Sequence, residues 1–103
     1  MNSSPEARFE ALASAMLQDQ TVTQPERRGF ARGGLMRHGK LFATLRGDGL
    51  LLKLPAGRVA QLIAMGHGTT FDANKGRPMK EWVVASLDAD WEGLAQEAAA
   101  FVA

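Results

Sequence analysis

Apolar residues along this chain follow two spacings, the roughly 3.6-residue period of a helix and the two-residue period of a strand. Phe9, Leu12, Ala13 and Met16 recur at i, i+3, i+4 and i+7. Ahead of them, Ser4-Pro5-Glu6 supplies an N-cap, a first-turn proline and an acid where a helix dipole favours one. The spacing predicts a helix over 5–18. Asp19 to Arg28, with Pro25 inside, has no helical period and reads as a connector. Three strands follow, over 33–37, 40–46 and 50–54. His38-Gly39 makes a two-residue hairpin turn and Gly47-Asp48-Gly49 turns the chain again. In the middle strand, alternation puts Leu41, Ala43 and Leu45 on one face. Phe42 falls on the other, with Lys40, Thr44 and Arg46.

Pro55 opens a second helix as its first-turn proline. Val59, Leu62 and Ile63, continued by Ala64 or Met65, form its apolar stripe, and Gly66 stops it. Thr69 to Phe71 reads as a short strand and Asp72 to Pro78 as a polar loop. Met79 to Leu87 reads as a strand because Trp82-Val83-Val84 is bulky and β-prone. Asp88 or Asp90 caps a last helix carrying Trp91, Leu94, Ala95, Ala98, Phe101 and Val102 at helical spacing. The order α-β-β-β-α-β-β-α predicts a two-layer α+β domain. A five-stranded antiparallel sheet would carry its helices on one face, with residues 1–103 forming a single domain.

Composition changes this picture little. Of 103 residues, 46% are apolar and 22% charged, ordinary for a globular chain with one core. There is no cysteine, which removes disulfides, thiolate metal sites and cysteine nucleophiles and fits a reducing compartment. Neither a secretory signal nor an apolar run of about 20 residues is present, so the expected location is cytoplasmic, with no membrane contact. Charge is unevenly spread. Residues 27–58 hold eight basic groups against Asp48 alone, a balance of +7, whereas residues 81–103 hold five acids and no base. Either the two segments neutralise each other across layers, or the first forms a basic face for a polyanion or an acidic partner.

Little in the chain points to catalysis. His38 and His67 each lie beside glycine in a predicted turn, without a carboxylate at i+3 or i+4, so neither reads as a metal ligand. Ser14 and Ser86 lack a neighbouring signature of an activated nucleophile. An active cleft would need Asp72, Lys80 and Glu81 to converge. Gly66-His67-Gly68-Thr69-Thr70 follows a helix and precedes a strand, the reverse of the order that cradles phosphate, so its glycines read as helix termination. Lys75, Arg77 and Lys80 place three cations in six residues, able to meet phosphates or an acidic surface, or to pair with Asp72 and Glu81. Trp82 and Trp91 read as core contacts more readily than as stacking platforms for nucleic acid.

A resemblance adds to this reading. It is carried by Phe30, Gly34-Leu35, Gly39-Lys40-Leu41-Phe42-Ala43, Leu52-Lys53-Leu54-Pro55 and Arg58-Val59. Gly66-His67-Gly68, Phe71-Asp72 and above all Gly76-Arg77-Pro78-Met79-Lys80-Glu81-Trp82-Val83 continue it, and Trp91, Leu94, Glu97-Ala98 and Phe101-Val102 close it. Together they resemble the N-terminal domain of the TfoX/Sxy competence regulators, found also as short stand-alone bacterial proteins. The usual Phe-Gly after the connector is Phe30-Ala31 here, and the C-terminal helical domain of full-length TfoX-type regulators is expected to be lacking. The resemblance implies a secretion-chaperone-like α-β3-α-β2-α fold, no cofactor, no catalytic residues and a regulatory role.

Two functions are therefore expected in order. The first is a non-enzymatic regulatory or protein-interaction module, contacting another protein or forming a homodimer. The second is a nucleic-acid-binding domain, as YjbR-type relatives are described, using the basic segment 27–58. Candidate contacts are Arg28, Arg32, Arg37, Lys75, Arg77 and Lys80, with no cofactor or metal.

Overall fold

The computed structural model describes residues 4–24, 34–72, 76 and 79–103. Helix α1 (Pro5–Met16) opens as its sequence dictates, the Ser4 hydroxyl accepting from the Ala7 N–H at 3.0 Å with Pro5 in the first turn. It buries Phe9, Leu12 and Ala13 and ends two residues before the expected 18. There the Asp19 carboxylate accepts from the Thr21 N–H at 2.9 Å and the Thr21 hydroxyl at 2.7 Å. That local turn bends the chain into β1 (Val22–Thr23), where a featureless connector was expected. The sheet therefore has six strands rather than five. Two residues are too few to show a period, and the side-chain turn that creates the strand leaves no hydrophobic trace.

The remaining strands are β2 (Leu35–Arg37), β3 (Lys40–Arg46), β4 (Gly49–Lys53), β5 (Gly68–Thr70) and β6 (Trp82–Ala85). All pair antiparallel, in the order β1-β2-β3-β4-β6-β5. His38 and Gly39 both take positive φ, 55° and 77°, giving a tight two-residue turn between β2 and β3. The expected 79–87 strand shortens at both ends. Met79 donates to the Phe71 carbonyl at 2.8 Å instead of joining the ladder, and residues 87–89 turn toward the last helix.

Phe42 departs from simple alternation, for a visible reason. Leu35 opposes Ala43 while Met36 opposes Leu41, so Phe42 is the extra residue of a β-bulge. A bulge lets consecutive side chains share a face, and Phe42 and Ala43 are both fully buried in the same apolar cluster. Phe42 thus belongs to the core, not to the face of Lys40, Thr44 and Arg46.

Helix α2 (Ala56–Ala64) begins one residue later than expected, with Pro55 at the N-cap. It ends in a Schellman motif. Gly66, at φ +80°, donates to Ile63 O at 3.1 Å, and the His67 N–H donates to Leu62 O at 2.9 Å. Helix α3 (Trp91–Phe101) takes Asp90, not Asp88, as its cap, through the Gly93 N–H at 3.1 Å. Leu50, Leu52 and Leu54 point to one side, with Ala43, Val83 and Ala85 beside them on the neighbouring strands. Phe9 and Leu12 of α1, Val59 and Leu62 of α2, and Trp91, Leu94 and Ala98 of α3 close over them in one cluster. All three helices lie on that face. Leu51, Thr44 and Phe71 are also buried but stand outside the cluster, where Thr44 and Leu51 are cross-strand neighbours on the opposite face.

Equilibrium urea unfolding tests the bulge. Phe42→Ala should cost about 3–5 kcal/mol, as for a fully buried aromatic. Leu87→Ala, at an exposed position, should stay within about 0.5 kcal/mol. A Phe42→Ala cost below about 1 kcal/mol would place this ring outside the core.

Candidate functional site

Three groups with catalytic potential meet at the ends of β5 and β6. The Ser86 hydroxyl donates to Asp88 Oδ1 at 2.5 Å and lies 3.2 Å from the His67 carbonyl, which also accepts from the Ser86 N–H at 3.0 Å. For His67 to act as a base it would have to accept the serine proton through an imidazole nitrogen, and here it offers its backbone oxygen. Its buried Nδ1 has no partner among the described residues. His38 is exposed at the hairpin tip and Ser14 is exposed on α1. Of the three groups an active cleft would need, Glu81 is held by Lys53 Nζ at 3.3 Å, Lys80 is exposed and Asp72 is half-buried. Among the described residues no three His, Cys, Asp or Glu groups gather to hold a metal ion.

The basic candidates separate as clearly. Arg28, Arg32, Lys75 and Arg77 lie outside the described residues. Arg37 is half-buried, and its guanidinium donates to Ala99 O at 2.9 Å in the last turn of α3, where the helix dipole favours a cation. Arg37 Nε is buried with no partner among the described residues. Arg58 reaches from α2 to α3 with a two-pronged bond to Glu97, at 2.9 and 3.1 Å. Arg46 lies 4.8 Å from the Phe71 ring centroid, and Lys53 lies 5.2 Å from that of Trp82. Arg37, Lys53 and Arg58 of the +7 segment therefore tie to the C-terminal segment, Lys53 and Arg58 each meeting an acid within one layer and Arg37 reaching from the sheet to a helix-end carbonyl. Lys80 is the one candidate contact among the described residues that is exposed with no such tie.

The tryptophans diverge. Trp91 is 2% exposed, donates from Nε1 to Ser86 O at 2.8 Å, and carries the Arg8 guanidinium 4.2 Å above its ring. Arg8 also donates to the carbonyls of Leu87 and Ala89, pinning α1 to the β6–α3 turn. Trp82 is only half-buried, and its ring centroid lies 6.4 Å from that of Phe71 at 59°.

Beside Trp82 opens a groove of about 260 Å³. Ala56, Val59, Ala60 and Ile63 of α2 form one wall. Thr70 of the edge strand β5 forms the floor, and Met79, Lys80 and Trp82 close the far side. Its position follows from the packing. Helix α2 covers β5 and β6 rather than the sheet centre, and Gly68 leaves the room that the Val83 side chain of β6 fills. A Cβ there would sit 2.7 Å from Val83 Cγ2 and 3.8 Å from Leu62 Cβ. The stripe on α2 was legible in the sequence. What was not is that its Ala56–Ala60 side stays uncovered, since that depends on where the sheet ends.

Fold and groove together define an α+β domain with an apolar cleft at one sheet edge. Compared with protein-family models, with curated proteins and with solved structures, the chain gives no match. No helix among the described residues is long and apolar enough to cross a membrane.

Two exposed carboxylates have their pKa values lowered from the ordinary 3.8. For Asp19 the main cause is the Thr21 backbone N–H, followed by the Thr21 hydroxyl. For Asp88 it is the Ser86 hydroxyl, followed by a backbone N–H. A carboxyl lowered by folding stabilises the native state above its unfolded pKa, and that stabilisation is lost as pH falls through the lower folded-state value. Replacing both with Asn should therefore flatten the fall in urea midpoint below about pH 4, relative to wild type. Parallel acid limbs in the two proteins would remove these bonds from the account.

Proposed function

We propose that this chain is a non-enzymatic protein-interaction domain of the TfoX N-terminal type. On this reading it has a regulatory role in the bacterial cytoplasm, and the α2–β5 groove is its recognition surface. The observation that carries the reading is the groove itself, an open apolar cleft lined by Ala60, Ile63, Met79 and Trp82 and, among the described residues, by a single charged side chain, Lys80. Apolar surface left open beside a half-buried tryptophan is what protein partners bury at the centre of an interface. The resemblance supports it from the sequence side, since Met79, Lys80 and Trp82 belong to its most specific block. Beyond β1, the sequence of elements is the one that the resemblance implies.

The nucleic-acid reading has less support. Phosphate contacts need cations free to replace counterions, and Arg37, Lys53 and Arg58 are already engaged inside the fold.

A photo-crosslinking residue placed at the exposed Ala60 should give discrete protein adducts in cells, whereas one at the exposed Glu10 on α1 should not. Light scattering should show the same particle mass with and without a mixed DNA duplex at low and moderate salt. Equal adduct patterns at both positions, or a salt-sensitive mass increase with DNA, would overturn the reading.

A further inference from the structure

The groove runs along a strand whose outer side is open. β5 ends the sheet, with β6 on one side and no strand on the other among the described residues. Its register with β6 is Gly68↔Ala85, Thr69↔Val84 and Thr70↔Val83. The Ser86 N–H donates to His67 O at 3.0 Å, which makes His67/Ser86 a hydrogen-bonded pair of the ladder. Antiparallel pairs alternate, so Thr69/Val84 is the next bonded pair. The N–H and C=O groups of Gly68 and Thr70 therefore point outward, away from β6.

This edge lacks the usual guards. Gly68-Thr69-Thr70 contains no charge and no proline, and its register with β6 shows no bulge. The Thr70 side chain lines the groove, so a strand laid against β5 would send alternate side chains over Ala56, Ala60 and Ile63. Residues exposed on α2 and at its end, Ala56, Gly57, Ala60, Gln61, Ala64 and Met65, are all uncharged, and Met65 is 55% exposed. The half-buried Arg58 is held by Glu97. Among the described residues Lys80 is the only charged group in the lining, which holds no acid. Backbone donors and acceptors, an apolar trough and one exposed cation are the parts of a strand-addition site.

We propose that the β5 edge takes up an extended segment of a partner protein as a seventh strand. Apolar residues at alternate positions of that segment fill the α2 groove, and a carboxylate meets Lys80. This rests on the interaction-domain reading and gives it a partner chemistry: an acidic, alternating, β-prone peptide. Charge complementarity to Lys80 selects such a segment over a basic one.

The test is a display library of random eight-residue peptides selected on the whole protein, with the enriched peptide then titrated and followed by amide chemical shifts. The expected sequences alternate apolar and polar residues and carry Asp or Glu. The largest shifts should fall at Gly68 and Thr70, with Trp82 fluorescence changing in step. Thr70→Pro removes an outward N–H without touching the β6 ladder and should abolish binding while the circular dichroism stays native. Lys80→Glu should weaken the acidic peptide by about tenfold or more and favour a basic version. Basic or helical winners, shifts away from β5, or binding untouched by Thr70→Pro would overturn the proposal. So would a concentration-dependent doubling of mass lost in Thr70→Pro, because the occupant would then be a second copy of the chain. Discrete Ala60 adducts together with any of the first three results would leave the interaction-domain reading standing and remove strand addition alone.

Discussion

The structure depends on burying one apolar face of a twisted antiparallel sheet. Leu50 and Leu52 of β4, near its centre, and Leu54 just beyond that strand are each fully buried. The helices are placed by the need to cover this apolar face. α3 lies over β3 and β4, α1 reaches β3, and α2 is left to cover β5 and β6. The bulge at Phe42 serves the same end by turning one more large side chain toward the helices. The groove is the other side of this arrangement. Three short helices cover the middle and leave the outer flank of α2 bare at the β5 edge.

Charge works within that frame. The two oppositely charged segments are joined by Arg58–Glu97 between two helices and by Lys53–Glu81 beside two paired strands, while Arg37, capping α3 from the β2–β3 hairpin, ties the sheet to the helix layer. Each partly exposed pair is worth only about 0–1 kcal/mol, so these contacts add little to the stability of the fold. Their functional effect is subtractive. Cations spent on internal ties are not available to a polyanion, and among the described residues Lys80, at the groove, is the one candidate contact that is exposed and untied.

Helical periods were the most legible part of the sequence. Ser4-Pro5-Glu6, Gly66 and the Trp91–Val102 stripe mark helices that the structure places within one or two residues. The 40–46 strand and its hairpin were equally plain. Failures occurred where a local hydrogen bond or a register shift outweighs patterning. The Asp19 turn makes β1, the Leu35/Met36 shift turns Phe42 inward, and the Met79–Phe71 bond cuts β6 short. Of the candidate contacts, Arg37 looked like any surface base, because nothing in its neighbourhood reveals a helix end 62 residues away. The groove was visible only as separate pieces, an alanine-rich helix flank and a Gly-Thr-Thr strand. Their meeting is a property of the sheet order.

The measurement that tests the central claim most directly is amide hydrogen exchange along β5 in the unliganded protein. An open edge requires the Thr69 amide, bonded into the β6 ladder, to exchange slowly, and the outward-facing Gly68 and Thr70 amides to exchange fast. That alternation is the predicted result. Equal protection at all three positions would mean that the edge is already covered, and would contradict the account.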